Sequence, residues 1–430
     1  MSEQKSVKIH YAWIIAAVSC LMIFTTVGLI QTAYSSVRPY LGDAYGLTQA
    51  QNGFLTTVRT VANLISMFFT AIFYKKLTYR WGMTLGMLCA VCGYLTFGLG
   101  SSFIHGCIAM CFNGLARTFA GMIGVSALLN AWFSQYRATV IGLASCCSGF
   151  TAFIMPPILS RWFETGGFQS GCFNVSILLG VFTVLVALLV RDTPAKMGLT
   201  RLGEGVATDE KKAKKPKKVL QHNYIAGRKE HIIMLIVAAL SSMCYAHGDF
   251  NTVNLTTAGW TNADAAMALS SYGLCLMIGK FLYGFIADHL PMRKASIIYY
   301  GCMSVAFASF MCVRFSWWTM PVAIATFVIY TMGGALPTNG LSTFAIDMSP
   351  SPEKFGSTVQ QYNIMYNVAS AIFCWVAGIT ADITGYYTVA YLMCLVCAVV
   401  GFILVQVAYG SAARNYKRAH AEEPSPAEGR

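Results

Sequence analysis

The stretch SSYGLCLMIGKFLYGFIADHLPMRK, residues 270–294, carries one charged residue, Lys280, in the apolar run that precedes Asp288. A lone ammonium group in such a run is costly to bury unless something neutralises it. The apolar run has the length of a membrane-spanning helix, and the basic cluster PMRK (291–294) that follows is typical of a cytoplasmic connection. The rest of the chain therefore has to indicate what neutralises Lys280.

Composition identifies the class of protein. The chain has 430 residues, of which 56% are hydrophobic and 11% charged, whereas a soluble domain carries about 25% charged residues. Uncharged runs of about 20 residues match helices rather than barrel strands. The run 11–33 is too long for a cleavable signal peptide and lacks a small-residue cleavage site, so it is interpreted as a first membrane helix. We therefore expect an all-α polytopic membrane protein.

The basic residues are unevenly distributed. The net charge is +13, and Lys and Arg concentrate in alternate connections, as in cytoplasmic loops. These connections are 74–82 (YKKLTYRWG), 191–230, 291–294 and the tail segment 413–420. The pattern predicts a cell membrane protein with both termini in the cytoplasm, and a central loop attracted to membrane lipid rather than to nucleic acid. The 15 cysteines are interpreted as small buried apolar residues, so no metal or other cofactor is expected.

Twelve spans are predicted, six on each side of the polar segment 191–230. They lie at about 11–34, 50–73, 82–100, 103–133, 138–158, 172–190, 232–256, 265–287, 295–313, 320–344, 356–379 and 386–409. The predicted domains are an N-terminal six-helix half (1–190), a cytoplasmic linker (191–230), a C-terminal six-helix half (231–410) and a cytoplasmic tail (411–430). Two such pseudo-symmetric halves indicate parallel repeats with a substrate site near the membrane midplane.

Three stretches give the chain a family resemblance. GKFLYGFIADHLPMRK (279–294) resembles the loop motif of the major facilitator superfamily. NAWFSQYRATVIGLASCCSGFTAFIMPPIL (130–159) and TPAKMGLTRLGEG (193–205) resemble signatures of its oxalate:formate antiporter and monocarboxylate transporter branch. The resemblance implies transport by alternating access.

The chain also departs from the family's loop motif. The first-half copy has Lys75 where an acid is expected and Ala71 where a glycine is expected, and the second copy has His289 and Pro291 for the usual Arg and Gly. Because Asp288 is retained, the gating interaction on the cytoplasmic side is assigned to the second half, with Asp288 and Arg293 as its residues.

Charges inside predicted spans are the main candidates for function, because such charges are rare and costly. The predicted spans contain three cations, Arg59, Arg117 and Lys280, and a single carboxylate, Asp249. At 1.5 Å rise per residue, Arg117 lies about 21 Å into its span and Lys280 about 12 Å from Asp288, so both are placed near midplane. We expect Arg117 and Lys280 to bracket an anionic substrate, with Arg as the bidentate group and Lys as a point charge.

Each cation also has a structural alternative. Lys280 could extend toward the cytoplasmic interface and pair with Asp288. Arg117 could hydrogen-bond to helix carbonyls or to Asn113 one turn away. Arg59 lies about 13 Å from the outer edge, where pairing with Asp249 would form a gate or a structural bridge.

Asp249 and His247, in AHGDFN (246–251), are the candidate proton-coupling residues. A carboxylate that is protonated when desolvated can couple proton movement to anion movement. The alternative is that Asp249 faces water at the outer end of its span. Exchange of one anion for another needs no proton carrier, so symport and antiport both stay open.

Neutral polar residues at helical spacing predict a wet cavity whose groups orient the substrate. Each could instead form a helix–helix hydrogen bond. Those assigned to substrate binding, in addition to the cations, are Gln31, Tyr34, Tyr330, Asn363 and Tyr366.

The predicted function is secondary active transport of a small mono- or dicarboxylate, with protons or a counter-anion as the coupled species and a monomer as the working form. The alternatives are an exporter of amphipathic or aromatic compounds and a transporter-like sensor that signals through segment 191–230. No combination of nucleophile, base and orienting residue is visible in the sequence, so an enzyme is not expected.

Overall fold

The computed structural model describes residues 10–203, 224–334, 336, 340–349 and 354–421. Within these ranges the regular elements are helical, and seven helical stretches are long and apolar enough to cross a membrane. The predicted all-α polytopic class is confirmed. The basic run KKAKKPKK (211–218) and residues 422–430 of the tail lie outside the described residues.

The helices of the first half of the chain follow the predicted spans closely. They are α1 (Ala12–Ile23), continued by a π-helix (Phe24–Thr32), α2 (Tyr34–Tyr45), α3 (Gln49–Leu99), α4 (Phe103–Phe119), α5 (Met122–Trp132) and α6 (Arg137–Leu189). Helices α3 and α6 each contain two predicted spans, joined where φ turns positive, at Thr78 (φ 61°) and Gly167 (φ 74°). A short 3₁₀ turn, Pro194–Met197, follows α6.

The second half of the chain is also built from helices, and a short 3₁₀ turn separates the first two of them. Its elements are α7 (Arg228–Ala246), a 3₁₀ turn (His247–Asp249), α8 (Asn251–Thr257), α9 (Asn262–His289), α10 (Met292–Met311), α11 (Met320–Gly334), α12 (Leu341–Met348), α13 (Phe355–Thr384) and α14 (Thr388–Ala421). Helices α9 and α13 each cover one predicted span completely.

The chain forms two compact units, and one of the points where it passes from one unit to the other lies inside α3. The first unit is Met1–Leu47 with Val61–Thr208, and the second is Thr48–Thr60 with Asp209–Arg430. Each has its own apolar core; Trp132 is fully buried in the first, and Tyr330 and Tyr391 are fully buried in the second. The predicted domain limits at residues 190 and 231 stay a prediction.

Two of the three stretches that carry the family resemblance contact each other in the first unit. Phe133 and Leu202 form a parallel β-bridge, with Leu202 N donating to Trp132 O at 3.0 Å and Ser134 N donating to Leu202 O at 2.9 Å. The indole Nε1 of Trp132 donates to Arg191 O at 2.9 Å. We call residues 132–135 together with 191–202 the inner collar.

Asp192 joins the inner collar to the loop 74–82. Its Oδ1 accepts from Arg80 N at 2.9 Å, and its Oδ2 lies 2.6 Å from Lys196 Nζ. The guanidinium Nε of Arg80 donates to Ala187 O at 2.7 Å. Asp192, just beyond the end of α6, is thus attached to the segment 74–82. This segment carries Lys75 at the position where the family has an acid.

Candidate functional site

The second unit contains a buried ion pair. Arg59 is 1% exposed and Asp249 8% exposed, and Arg59 Nη2 lies 3.0 Å from Asp249 Oδ1 and 3.2 Å from Oδ2. The thiol of Cys374 lies 3.7 Å from Asp249 Oδ2. Asp249 therefore does not face water, and its pairing with Arg59 corresponds to the alternative considered for Arg59.

The local chain explains why Asp249 can reach this position. Helix α7 ends at Ala246, and residues His247–Asp249 form a 3₁₀ turn before α8 begins at Asn251. A tighter turn changes the direction of successive side chains relative to an α-helix. The break between α7 and α8 thus presents a carboxylate to Arg59 from within a span.

His247 lies in an aromatic enclosure and is fully buried. Its Nδ1 lies 2.9 Å from Cys244 O, so that nitrogen carries the proton, because a carbonyl can only accept. The Tyr330 ring centroid is 4.2 Å from the imidazole centroid. Four further rings, of Tyr272, Phe307, Phe310 and Tyr391, surround the imidazole. The Tyr330 hydroxyl also donates to Cys244 O, at 3.4 Å, so both predicted residues are held at the same carbonyl.

The two cations predicted to bracket the substrate belong to different units. Arg117 lies in the last turn of α4 in the first unit, and Lys280 lies in α9 in the second. Both side chains are partly exposed. Asn113 is fully buried, and among the described residues neither polar atom of its amide has a hydrogen-bond partner. Bonding of Arg117 to Asn113 is therefore not the observed arrangement.

The neutral polar candidates are divided between the units. Gln31 is partly buried in the π-helix, and Tyr34 is buried at the start of α2. On α13, Tyr366 is buried, and Asn363 Nδ2 donates to Val359 O at 2.9 Å. The amide of Asn363 thus bonds within its own helix, and its role toward substrate stays a prediction.

The two residues predicted to gate the cytoplasmic side differ in what the structure describes. The side chain of Asp288 lies outside the described part of the chain. Arg293 is exposed at the start of α10, and its Nε donates to Gln406 Oε1 at 3.2 Å, while Gln406 Nε2 donates back to Arg293 O at 2.9 Å. Arg293 therefore joins α10 to α14.

Sequence reasoning missed Arg38. The first predicted span ended at residue 34 and left Arg38 in an outer connection, but the helix continues through α2 and Arg38 is fully buried. The signal was helical spacing, since Tyr34, Arg38 and Leu41 lie on one face and all three are buried.

Two C-x-x-C spacings, 89–92 and 394–397, lie within helices, and no disulfide bond is formed among the described residues. No group of three or more His, Cys, Asp or Glu residues in the described ranges is arranged to hold a metal ion.

Apolar helices that enclose buried charges define a multi-pass membrane protein. The sequence profile of the Major Facilitator Superfamily matches residues 13–373 and, in an overlapping match, 255–428. The chain belongs to the Major Facilitator Superfamily. The prediction of a transporter-family protein rather than an enzyme is confirmed.

The individual relatives are distant. Mouse "Sugar phosphate exchanger 3" is 22% identical over 278 residues, which cover 56% of this chain and 55% of that protein. The match thus spans about half the length of that relative. A variant of the nucleoside transporter NupG has a TM-score of 0.72 and 13% identity, over 93% of this chain and 100% of that one. The D-xylose-proton symporter has a TM-score of 0.67 and 12% identity, over 90% and 96% of the two chains. These structural likenesses show the fold, while the predicted branch and substrate remain proposals.

Proposed function

We propose that this protein is a secondary active transporter of a small organic anion, a mono- or dicarboxylate, working by alternating access. The observation that carries the proposal is charge balance. Arg59, Arg117 and Lys280 are the cations inside the predicted spans, Arg38 is a buried cation on the helix that continues the first span, and Asp249 pairs with Arg59. A mobile anion near Arg117 and Lys280 would offset positive charge inside the membrane at low cost.

Arg117 and Lys280 are the proposed substrate contacts. Both are partly exposed, whereas Arg59 is buried, which supports assigning substrate contact to the first two. Arg59 is assigned instead to holding Asp249. The name of the mouse relative refers to a phosphorylated, hence anionic, sugar, which supports an anion as cargo and makes an organic phosphate the second candidate.

The coupled species is proposed to be either a proton or a counter-anion. Asp249 is the proposed proton carrier, while the aromatic enclosure of His247 gives that residue a supporting role. Positive charge in alternate connections supports a cell membrane location with both termini cytoplasmic, and a monomer is the proposed working form.

The test is flux into proteoliposomes. Labelled carboxylates and organic phosphates are offered with and without a preloaded counter-anion and an imposed pH gradient. Carboxylate uptake is the expected result. Saturable binding without flux would indicate a sensor, and inhibition by aromatic amphiphiles but not by carboxylates would indicate the exporter alternative.

Lys280→Ala is the sharpest variant for this assay. We expect its uptake rate at low substrate to fall by at least about tenfold, the factor that 1.4 kcal/mol of lost interaction gives. Lys294→Ala is the matched control, since Lys294 is an exposed lysine just outside the same span. Uptake by Lys280→Ala at the unaltered rate and affinity would remove the bracket hypothesis.

A further inference from the structure

The outer end of α3 is capped twice. Its own capping box joins Thr48 and Gln51: Thr48 N donates to Gln51 Oε1 at 3.1 Å, and Gln51 N donates to Thr48 Oγ1 at 3.2 Å. In addition, Asp382 at the end of α13 accepts from Gln49 N at 2.7 Å and from Ala50 N at 2.8 Å. Amides of the first helical turn have no partner within their helix, so Asp382 provides a cap from a distant helix.

Further contacts continue along the same two helices. The phenol of Tyr387 donates to Gln49 Oε1 at 2.8 Å. The rings of Phe54 and Trp375 meet edge to face with centroids 5.6 Å apart. We call residues 48–60 together with 371–387 the outer clasp. Arg59, at the end of the first of these two segments, pairs with Asp249.

Two glycines let the helix backbones of the outer clasp touch. A Cβ atom added to Gly53 would lie 2.4 Å from Cys374 O, and one added to Gly378 would lie 2.3 Å from Gln49 O. No side chain fits at those distances, so both positions require glycine for this approach. Small residues at helix interfaces permit such contact in membranes.

The outer clasp lies at the point where the chain changes unit. Residues 48–60 belong to the second unit, whereas the same helix from Val61 onward belongs to the first. The positive segment 74–82 predicts that the Gln49 end of α3 lies outside, and Asp382 at the end of α13 contacts that end. The clasp therefore faces the outer side of the membrane.

In a transporter that works by alternating access, the outer side has to open and close; we infer that Asp382 is the residue that holds the outer clasp closed, through its bonds to the amides of Gln49 and Ala50. The inference rests on the proposed transport function. Asp382 is exposed, so water can replace it on the two amides, and the capping box of Thr48 and Gln51 keeps α3 intact when Asp382 leaves. The outer clasp can thus open without unravelling a helix, while the buried pair of Arg59 and Asp249 resists opening.

The test is chemical labelling of Cys374, which lies directly behind Gly53. A variant that keeps Cys374 as its only cysteine is reconstituted and treated with a membrane-impermeant maleimide from either side. In Asp382→Ala we expect the labelling rate from outside to rise by at least about fivefold, the factor given by loss of one ordinary hydrogen bond. Labelling from inside is expected not to rise.

A second variant removes the cap without changing Asp382. Gln49→Pro deletes the Gln49 N–H and its side-chain contact with Tyr387, and proline is favoured at the first helical position. It is expected to raise outside labelling as Asp382→Ala does. The matched control is Asp264→Ala, because Asp264 is a partly exposed acid at the start of α9 whose cap is local, from Asp264 N to Thr261 Oγ1 at 3.1 Å.

The outcomes separate the role of Asp382 from the transport proposal, because labelling needs no substrate. Outside labelling that rises in both variants while no offered anion is moved would retain the role of Asp382 and remove the proposed cargo. Unchanged labelling in both variants, or an equal rise from both sides, would overturn that role, since general loosening exposes Cys374 in both directions.

Discussion

The pair of Arg59 and Asp249 is a buried charge pair, with side chains 1% and 10% exposed. Taking either charge out of water costs several kcal/mol, and the partner recovers that cost only while it is present. The pair therefore makes each residue strongly dependent on the other, more than it adds stability over an apolar pair of the same size.

We predict that Arg59→Met lowers the free energy of unfolding by about 3–5 kcal/mol, because it leaves the Asp249 carboxylate buried without its cation. The double variant Arg59→Met/Asp249→Leu should recover most of that loss. Thermal unfolding in detergent measures both, with the exposed Arg161→Met as control. A double variant as unstable as Arg59→Met would contradict this account.

The same carboxylate is the proposed proton carrier. In Asp249→Asn, uptake should no longer respond to a pH gradient, while exchange against a preloaded anion persists, because an amide does not titrate. Asp264→Asn, which changes a partly exposed acid in the same unit, should leave the pH response intact. Uptake by Asp249→Asn that still follows the pH gradient would exclude the carrier role.

At the scale of the elements, the Asp192 carboxylate attaches the inner collar to the segment 74–82. Partial burial by itself raises the pKa of Asp192, but hydrogen bonds from Lys196 and from the Arg80 amide outweigh it, so the pKa lies below the ordinary value of 3.8. A lowered pKa in the folded protein means that the carboxylate stabilises the fold above its unfolded pKa, and that this contribution is lost as the pH falls through the folded value.

We therefore predict that the melting temperature of the protein decreases as the pH is lowered below about 3.8, and that Asp192→Asn removes this part of the decrease. The contribution is about 1 kcal/mol or less, because the ion pair with Lys196 is largely exposed. Thermal scans in detergent at a series of pH values measure it, with Asp264→Asn as control. Identical pH curves for Asp192→Asn and the unaltered protein would refute the role of Asp192.

The elements themselves were predictable because an apolar run of helical length is a local property of the chain. The span prediction failed at Arg38, where one arginine and Pro39 hid a helix that continues through Tyr45. The cap from Asp382 to Gln49 joins residues 333 positions apart, and no local pattern carries that information. The charged candidates were found because charge in a span is conspicuous, whereas their partners, except for Asp249, were not.

At the scale of the whole molecule, the sequence pattern separated two halves at the polar segment 191–230. In the structure, residues 48–60 group with the second compact unit, although they precede that segment. Connectivity and periodicity could predict the first division. The second depends on contacts between α3 and α13, such as the edge-to-face rings of Phe54 and Trp375, which arise only in the folded chain.

Helix α3 belongs to both compact units, because its residues up to Thr60 cluster with the second unit and those from Val61 onward with the first. Two hydroxyl groups of α3 bond back to the preceding turn near this point. Thr60 Oγ1 donates to Thr56 O at 2.9 Å, and Ser66 Oγ donates to Ala62 O at 2.7 Å. Hydroxyls that bond back to the preceding turn compete with the helical ladder and favour bending. We therefore expect α3 to curve more readily at this point than a run of apolar residues of the same length would.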